Sequence, residues 1–137
     1  MLLDVSHLEI SYAQKGKEPK PTVHDVTFSL EKGEVLAIVG ESGSGKTTVI
    51  RALLGCLPVG GQMTGGMASF DGQDLRTLPE KGWQKLRGRD ISMIFQDSGS
   101  MMNPVQTIGH QYVEFLRTHE KMTKSEARAM AVEKLAL

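Results

Sequence analysis

Residues 40–48 read Gly-Glu-Ser-Gly-Ser-Gly-Lys-Thr-Thr: a glycine, four residues, then Gly-Lys and a threonine. That spacing is the one that lets a backbone wrap a phosphate. Glycines at 40, 43 and 45 free the chain for conformations closed to residues with a Cβ, and for close approach to a ligand. Successive amide N–H groups of Gly40, Glu41, Ser42, Gly43, Ser44 and Gly45 then point into one concavity suited to anionic oxygens. A helix starting at the end of the loop adds unpaired N–H groups and the positive end of its dipole. Lys46 reaches the β- and γ-phosphates of a nucleotide, and the Thr47 hydroxyl ligates the Mg²⁺ that bridges them. The bland alternative is a glycine turn with an incidental lysine. The flanks decide against it.

Those flanks are the elements such a loop needs. Residues 35–39, Val-Leu-Ala-Ile-Val, form an apolar run of strand length, and residues 49–54 continue as a helix. Strand, glycine loop, helix is the required setting. Upstream, residues 2–12 read as a strand with Leu8, Ile10 and Tyr12 on one face. Residues 13–21 read as a polar loop rich in Lys, Gly and Pro. Residues 22–30 form a second strand, Val26, Phe28 and Leu30 alternating with Asp25, Thr27 and Ser29, and residues 31–34 turn the chain. The two strands predict an antiparallel flank to a nucleotide-binding core.

Downstream, residues 58–66 read as a Gly-rich connection, and Met67 to Phe70 lead into the hairpin signal Asp71-Gly72. Residues 78–87 predict a short helix entered through Pro79, with Trp83 as a partly buried anchor rather than a ligand-stacking ring. Residues 91–95, Ile-Ser-Met-Ile-Phe, predict another buried strand ending at Gln96. A helix is expected over residues 105–119. Thr123-Lys124-Ser125-Glu126 is a capping box that opens a last helix through Leu135. No terminator follows it before Leu137, so the chain is expected to be a piece of a longer protein.

Composition narrows the class. A chain of 137 residues, 39% apolar and 23% charged, fits one soluble domain with a real core. Lys plus Arg equals Asp plus Glu at 16 each, so no charge excess argues for nucleic acid. No run approaches the roughly 18 apolar residues of a membrane span, and Asp4 in a terminus without a basic region argues against a signal peptide. The single cysteine, Cys56, is expected as a small buried hydrophobe, which places the chain in the cytosol.

Here the residues carry a resemblance. Gly-Glu-Ser-Gly-Ser-Gly-Lys at 40–46, Leu-Pro-Glu-Lys at 78–81, Ile-Ser-Met-Ile-Phe-Gln-Asp at 91–97 and Met-Asn-Pro at 102–104 resemble the ATP-binding subunits of ABC transporters. Among these they are most similar to the oligopeptide, dipeptide and nickel importers, and the resemblance runs the length of the chain. It implies an α/β fold: a P-loop NTPase (RecA-like) core with an N-terminal antiparallel β flank and the start of a helical subdomain, truncated. Residues 1–97 would be the N-terminal part of the nucleotide-binding core, and residues 98–137 the incomplete helical subdomain.

By the same resemblance Tyr12 stacks on adenine, though an ordinary strand aromatic is the competing reading. Gln96 approaches Mg²⁺ and the γ-phosphate as catalytic and metal-contacting residue with Lys46. Thr48 contacts a phosphate oxygen beside Thr47, the metal ligand. The implied cofactors are ATP and Mg²⁺. The implied partners are membrane permease subunits, a second ATPase subunit (homo- or heterodimer) and, indirectly, an extracytoplasmic solute-binding protein, with no nucleic acid. The implied location is peripheral, on the cytoplasmic face of the inner membrane.

Two departures matter. The importers usually follow Gln-Asp with a proline, and here Ser98-Gly99-Ser100-Met101-Met102 stands in that stretch. A looser loop is expected from its backbone entropy. The family's Leu-Ser-Gly-Gly signature, its second apolar strand ending in Asp-Glu and its switch histidine have no match in the 137 residues. His7, His24, His110 and His119 all precede the place of that histidine. The expectation is an ATP-binding subunit energising peptide (or nickel) import, whose residues 1–137 alone bind Mg-ATP weakly and turn it over little. The alternative is a stand-alone nucleotide-binding module without turnover.

Overall fold

The computed structural model describes residues 1–136. Their contacts divide the chain into two units, Met1–Gln84 and Lys85–Leu137. The first is built on a four-stranded antiparallel sheet in the order β2-β1-β3-β4, made of β1 (Leu3–Gln14), β2 (Lys17–Leu30), β3 (Gly61–Phe70) and β4 (Gln73–Asp74). α1 (Lys46–Leu53) lies against β1 and β3. Its buried residues Val49, Ala52 and Leu53 recur at helical spacing, so one stripe faces the sheet.

The expected alternation in β1 holds, with an interruption. Val5, Leu8 and Ile10 are all fully buried, yet Val5 and Leu8 are three residues apart. His7 takes up the extra residue at φ 50°, where the β1–β2 and β1–β3 registers both shift. It is a β-bulge that returns Leu8 to the core face. In β2, Val26, Phe28 and Leu30 are half-buried between exposed Asp25, Thr27 and Ser29, as the sequence pattern requires. Asp71 and Gly72 both take positive φ and join Phe70 to Gln73 in a tight hairpin.

Several expectations need correction. The loop expected over residues 13–21 is a hairpin: β1 runs to Gln14, β2 starts at Lys17, and Gly16 turns at φ 70°. The Gly-rich connection expected over 58–66 becomes a strand from Gly61, because β1 supplies it with a partner and with side-chain cover. Residues 35–39, expected as a buried strand, form no ladder, and Val35 and Val39 are 96% and 91% exposed. A strand apolar on both faces needs neighbours on both edges, and the described residues supply none. Cys56 is exposed rather than buried.

The second unit is largely helical. α2 (Glu80–Leu86) spans the boundary between the units, and Trp83 within it, expected as partly buried, is buried at 7% exposure. Residues 91–95 make one isolated bridge, Ile91 to Arg87, in place of the expected strand, and Ile94 is 93% exposed. A 3-10 turn at Gly99–Met101 precedes α3 (Ile108–His119) and α4 (Lys124–Leu135). The stretch expected to be loose is hydrogen-bonded: the Ser100 hydroxyl donates to the Asp97 carbonyl at 3.0 Å, and Met102 N–H to Gly99 at 3.3 Å. α3 begins three residues later than expected because Thr107 caps it, its hydroxyl accepting from His110 N–H. The capping box at Thr123 and Glu126 is complete, and those bonds hold the Glu126 carboxyl below its ordinary value of 4.5. Among the described residues, no helix is long and apolar enough to cross a membrane.

Candidate functional site

The loop at residues 40–48 is closed by its own lysine. Lys46 opens α1, and its side chain folds back over the loop. Nζ donates to the Gly40 carbonyl at 2.8 Å, the Glu41 carbonyl at 2.5 Å and the Ser44 hydroxyl at 3.2 Å. Ser44 N–H donates to the Glu41 carbonyl at 3.2 Å, making a turn inside the same bowl. Three loop oxygens thus converge on one ammonium.

The glycines earn their places in different ways. A Cβ on Gly40 would meet Ser44 Oγ at 2.8 Å, so its position needs space. Gly43 faces open space but sits at φ 84°, so its position needs conformational freedom. Gly45, at φ 93°, needs both: a Cβ there would meet Val23 Cγ2 at 3.1 Å. The loop therefore rests on Val23 and the Thr22 carbonyl of β2. Nothing local in the sequence signals that seat, since it links residues far apart in the chain.

α1 starts with Gly45 as its N-cap, no capping side chain and no acid in its first turn. Val49 N–H bonds the Gly45 carbonyl at 2.9 Å, which leaves the earlier N–H groups of the first turn as donors beside Lys46. Helix end, ammonium and glycine backbone all favour an anion with several oxygens. Thr47, exposed on this first turn, offers a hydroxyl to a hard cation, and Thr48 beside it is half-buried. No group of three or more His, Cys, Asp or Glu among the described residues could hold a metal ion. A divalent cation at Thr47 would then take most of its ligands from the anion and from water. The residues fit a nucleotide phosphate with its cation.

Among the described residues Tyr12 and Gln96 make no hydrogen bond to the bowl, and they belong to different units. Tyr12 is half-buried on β1 and pairs with Gly61 of β3. Its Cε1 lies 2.7 Å from where a Cβ on Gly61 would stand, so the ring covers that glycine across the sheet. Gln96 is exposed at the turn over residues 96–98 in the second unit. Gln111 on α3, which belongs to no motif in the sequence, bonds the chain segment after that turn.

A glycine bowl gripped by the first lysine of an uncapped helix, set on an antiparallel flank, defines the phosphate-loop class of nucleotide-binding proteins. The family profile described as ABC transporter matches residues 23–136, and the chain belongs to that family. It is 44% identical to the oligopeptide transport ATP-binding protein OppD of Bacillus subtilis over 137 residues, which is 99% of this chain and 38% of that protein. It is 42% identical to AppD of the same organism, an oligopeptide transport ATP-binding protein, over 99% of this chain and 42% of the relative. The dipeptide transport ATP-binding protein DppD of Haemophilus influenzae is 40% identical over 99% of this chain and 41% of its own length. The chain thus spans about two fifths of the length of these relatives. A solved ATP-binding cassette, dimeric in a post-hydrolysis state with ADP and Pi, superposes with a TM-score of 0.76 at 24% identity, covering 98% of this chain and 56% of that one. The fold is that of an ABC ATPase domain in part.

Proposed function

We propose that residues 1–137 belong to the ATP-binding subunit of an importer that takes peptides across the cytoplasmic membrane. The observation that carries this reading is the Lys46-gripped bowl at the head of α1, in a chain 40 to 44% identical to peptide-transport ATP-binding proteins. In this reading the loop N–H groups and Lys46 hold the β- and γ-phosphates of ATP, Thr48 adds a phosphate contact, and Thr47 binds Mg²⁺. Bound Mg²⁺ neutralises charge developing on the transferred phosphoryl group. Tyr12 stacks on the adenine, and Gln96 reaches the metal and the γ-phosphate. Permease subunits, a second ATPase subunit and, indirectly, a solute-binding protein complete the assembly, with this subunit peripheral on the cytoplasmic face. Nickel is the alternative cargo.

Residues 1–137 by themselves support a narrower reading, a module that binds Mg-ATP without turning it over. The 137 residues contain the phosphate loop and no Asp-Glu pair at the end of an apolar strand to polarise water. The test of both readings is Lys46→Ala. In the whole protein it should abolish ATP-driven uptake; uptake equal to wild type would refute the transport assignment. In residues 1–137 it should abolish nucleotide binding measured by titration calorimetry. Robust hydrolysis by those residues, removed by the same substitution, would sink the narrower reading.

A further inference from the structure

Lys20 stands between two prolines, Pro19 and Pro21, on the edge strand β2. The ring at 21 closes helical conformations to Lys20, and the ring at 19 fixes the backbone before it. An extended, stiff segment therefore carries this exposed side chain.

A β-bulge decides which face of the sheet receives it. Ile10 pairs with Val23, Ser11 with Pro21 and Tyr12 with Lys20, so Thr22 has no partner on β1. The Thr22 hydroxyl closes the bulge, donating to the Lys20 carbonyl at 3.4 Å. In a regular strand Lys20 and Val23, three residues apart, would point to opposite faces. The extra residue reverses that: Val23 is buried opposite Ile10, and Lys20 shares its face, opposite Tyr12. The phosphate loop rests on the same face, since a Cβ on Gly45 would meet Val23 Cγ2 at 3.1 Å. The Ile10 and Tyr12 rows lie about 7 Å apart at two residues' rise, a gap that the four-carbon stem of a lysine largely crosses. Among the described residues no carboxylate pairs with the Lys20 ammonium.

We infer that Lys20 is a further nucleotide-binding residue, its ammonium contacting the α-phosphate of a nucleotide whose β- and γ-phosphates fill the bowl. The inference deepens the ATP-binding reading and rests on it. With the base on Tyr12 and the outer phosphates at Lys46, the α-phosphate falls between them, beside Lys20. An ammonium there makes a charge-assisted bond to a phosphate oxygen, stronger than any it makes to a sugar hydroxyl. The contact touches neither the base nor the γ-phosphate, so it strengthens binding of nucleoside di- and triphosphates alike.

Titration calorimetry of the whole protein with ATP, ADP and GDP tests this in wild type, Lys20→Met, Lys20→Arg, Lys17→Met and Lys46→Ala. Lys20→Met should raise Kd about three- to tenfold, as for the loss of one charge-assisted hydrogen bond, and by the same factor for all three nucleotides. That difference should shrink in about 1 M salt. Lys20→Arg keeps the charge and should stay within about twofold of wild type, as should Lys17→Met at the tip of the hairpin. Wild-type affinity in Lys20→Met would overturn the inference. An equal loss in Lys17→Met would overturn it too, by making the effect the general field of the hairpin. A loss confined to the adenine nucleotides would put the ammonium on the base, and a fall in the urea midpoint that tracks the affinity would make the residue structural; either result defeats the assignment. Lys46→Ala separates the two levels. ADP bound by that variant as in wild type would sink the ATP-binding reading itself, whereas its loss there beside unchanged binding in Lys20→Met would sink the Lys20 inference alone.

Discussion

His7 Nδ1 lies 2.5 Å from Asp25 Oδ1, and both residues sit at positive φ, 50° and 49°, on adjacent strands. Gly66, at φ 73°, stands opposite on the third strand, so one line of left-handed residues crosses β2, β1 and β3. His7 N–H also donates to Thr27 Oγ1 at 2.9 Å. The pair is exposed, so its charge component contributes little, and the backbone conformation carries the larger energy. His7→Gly should therefore leave stability unchanged or raise it by a few tenths of a kcal/mol, while His7→Val should cost about 1–2 kcal/mol. The midpoint of urea unfolding measures both. Equal effects would mean that the bulge relaxes.

Gly66 is the strictest member of that line. A Cβ there would meet the His7 carbonyl oxygen at a separation no real contact shows, and Ser6 O beside it. These are backbone atoms in a ladder, which cannot swing away as a side chain would. Gly66→Ala should cost more than about 3 kcal/mol or prevent folding. A soluble, cooperatively unfolding Gly66→Ala protein with wild-type midpoint would contradict this.

At the phosphate loop, Gly45→Ala should weaken nucleotide binding at least about tenfold, since φ 93° is closed to alanine and the loop must shift. The contact with Val23 Cγ2 at 3.1 Å is the lesser obstacle. Pairing Gly45→Ala with Val23→Ala makes room without changing the backbone requirement. Calorimetric titration of the double variant should recover little affinity; full recovery would make the clash, and not the conformation, the governing cost.

The acid side of α4 offers a fourth test. Glu126 accepts from Thr123 N–H at 2.7 Å and from the Thr123 hydroxyl at 2.8 Å, and these bonds favour its ionised form. Its folded carboxyl titrates below the ordinary value of 4.5. The associated stability is present above the unfolded carboxyl's titration and is lost as pH falls through the lower, folded one. Hydrogen exchange at the start of α4 should be independent of this group above about pH 5 and should accelerate in acid beyond the intrinsic rate change. Glu126→Gln should remove that acid dependence. Thr123→Ala should cost about 1 kcal/mol near neutral pH and less in acid, because the hydroxyl's bond to the ionised carboxylate is lost with it.

What could be read in advance follows the range of the interactions involved. The Thr123–Glu126 box and the Asp71-Gly72 hairpin are complete within four residues, and both formed where the sequence placed them. The phosphate loop is equally local, and Lys46 grips Gly40 and Glu41 a few residues away. The bulge at His7 was hidden, because it depends on partners in β2 and β3. So was the strand from Gly61 to Gly66, whose glycines mark a loop by composition. Tyr12 covers Gly61, and the Glu9 side chain lies over Gly65, so the missing side chains come from β1. The Gln111 clamp reaches back eight residues to Asn103, and a glutamine on a helix carries no signal of its own. At residues 35–39 the apolar run is plain in the sequence but its ladder is not local: a strand apolar on both faces needs neighbours that the described residues do not provide.

That apolar run has a colloidal consequence. Val35, Leu36, Ile38 and Val39 are all solvent-facing large hydrophobes, in five consecutive residues without a charge or a proline. Such a segment is a template for pairing with another copy of itself. A solution of this chain should therefore gain mass with concentration by light scattering. Val39→Lys should slow that growth while leaving the Lys46 grip intact, since Val39 is 91% exposed and none of the three oxygens on the ammonium belongs to it. Shelf life and phosphate binding are then separable properties of neighbouring residues.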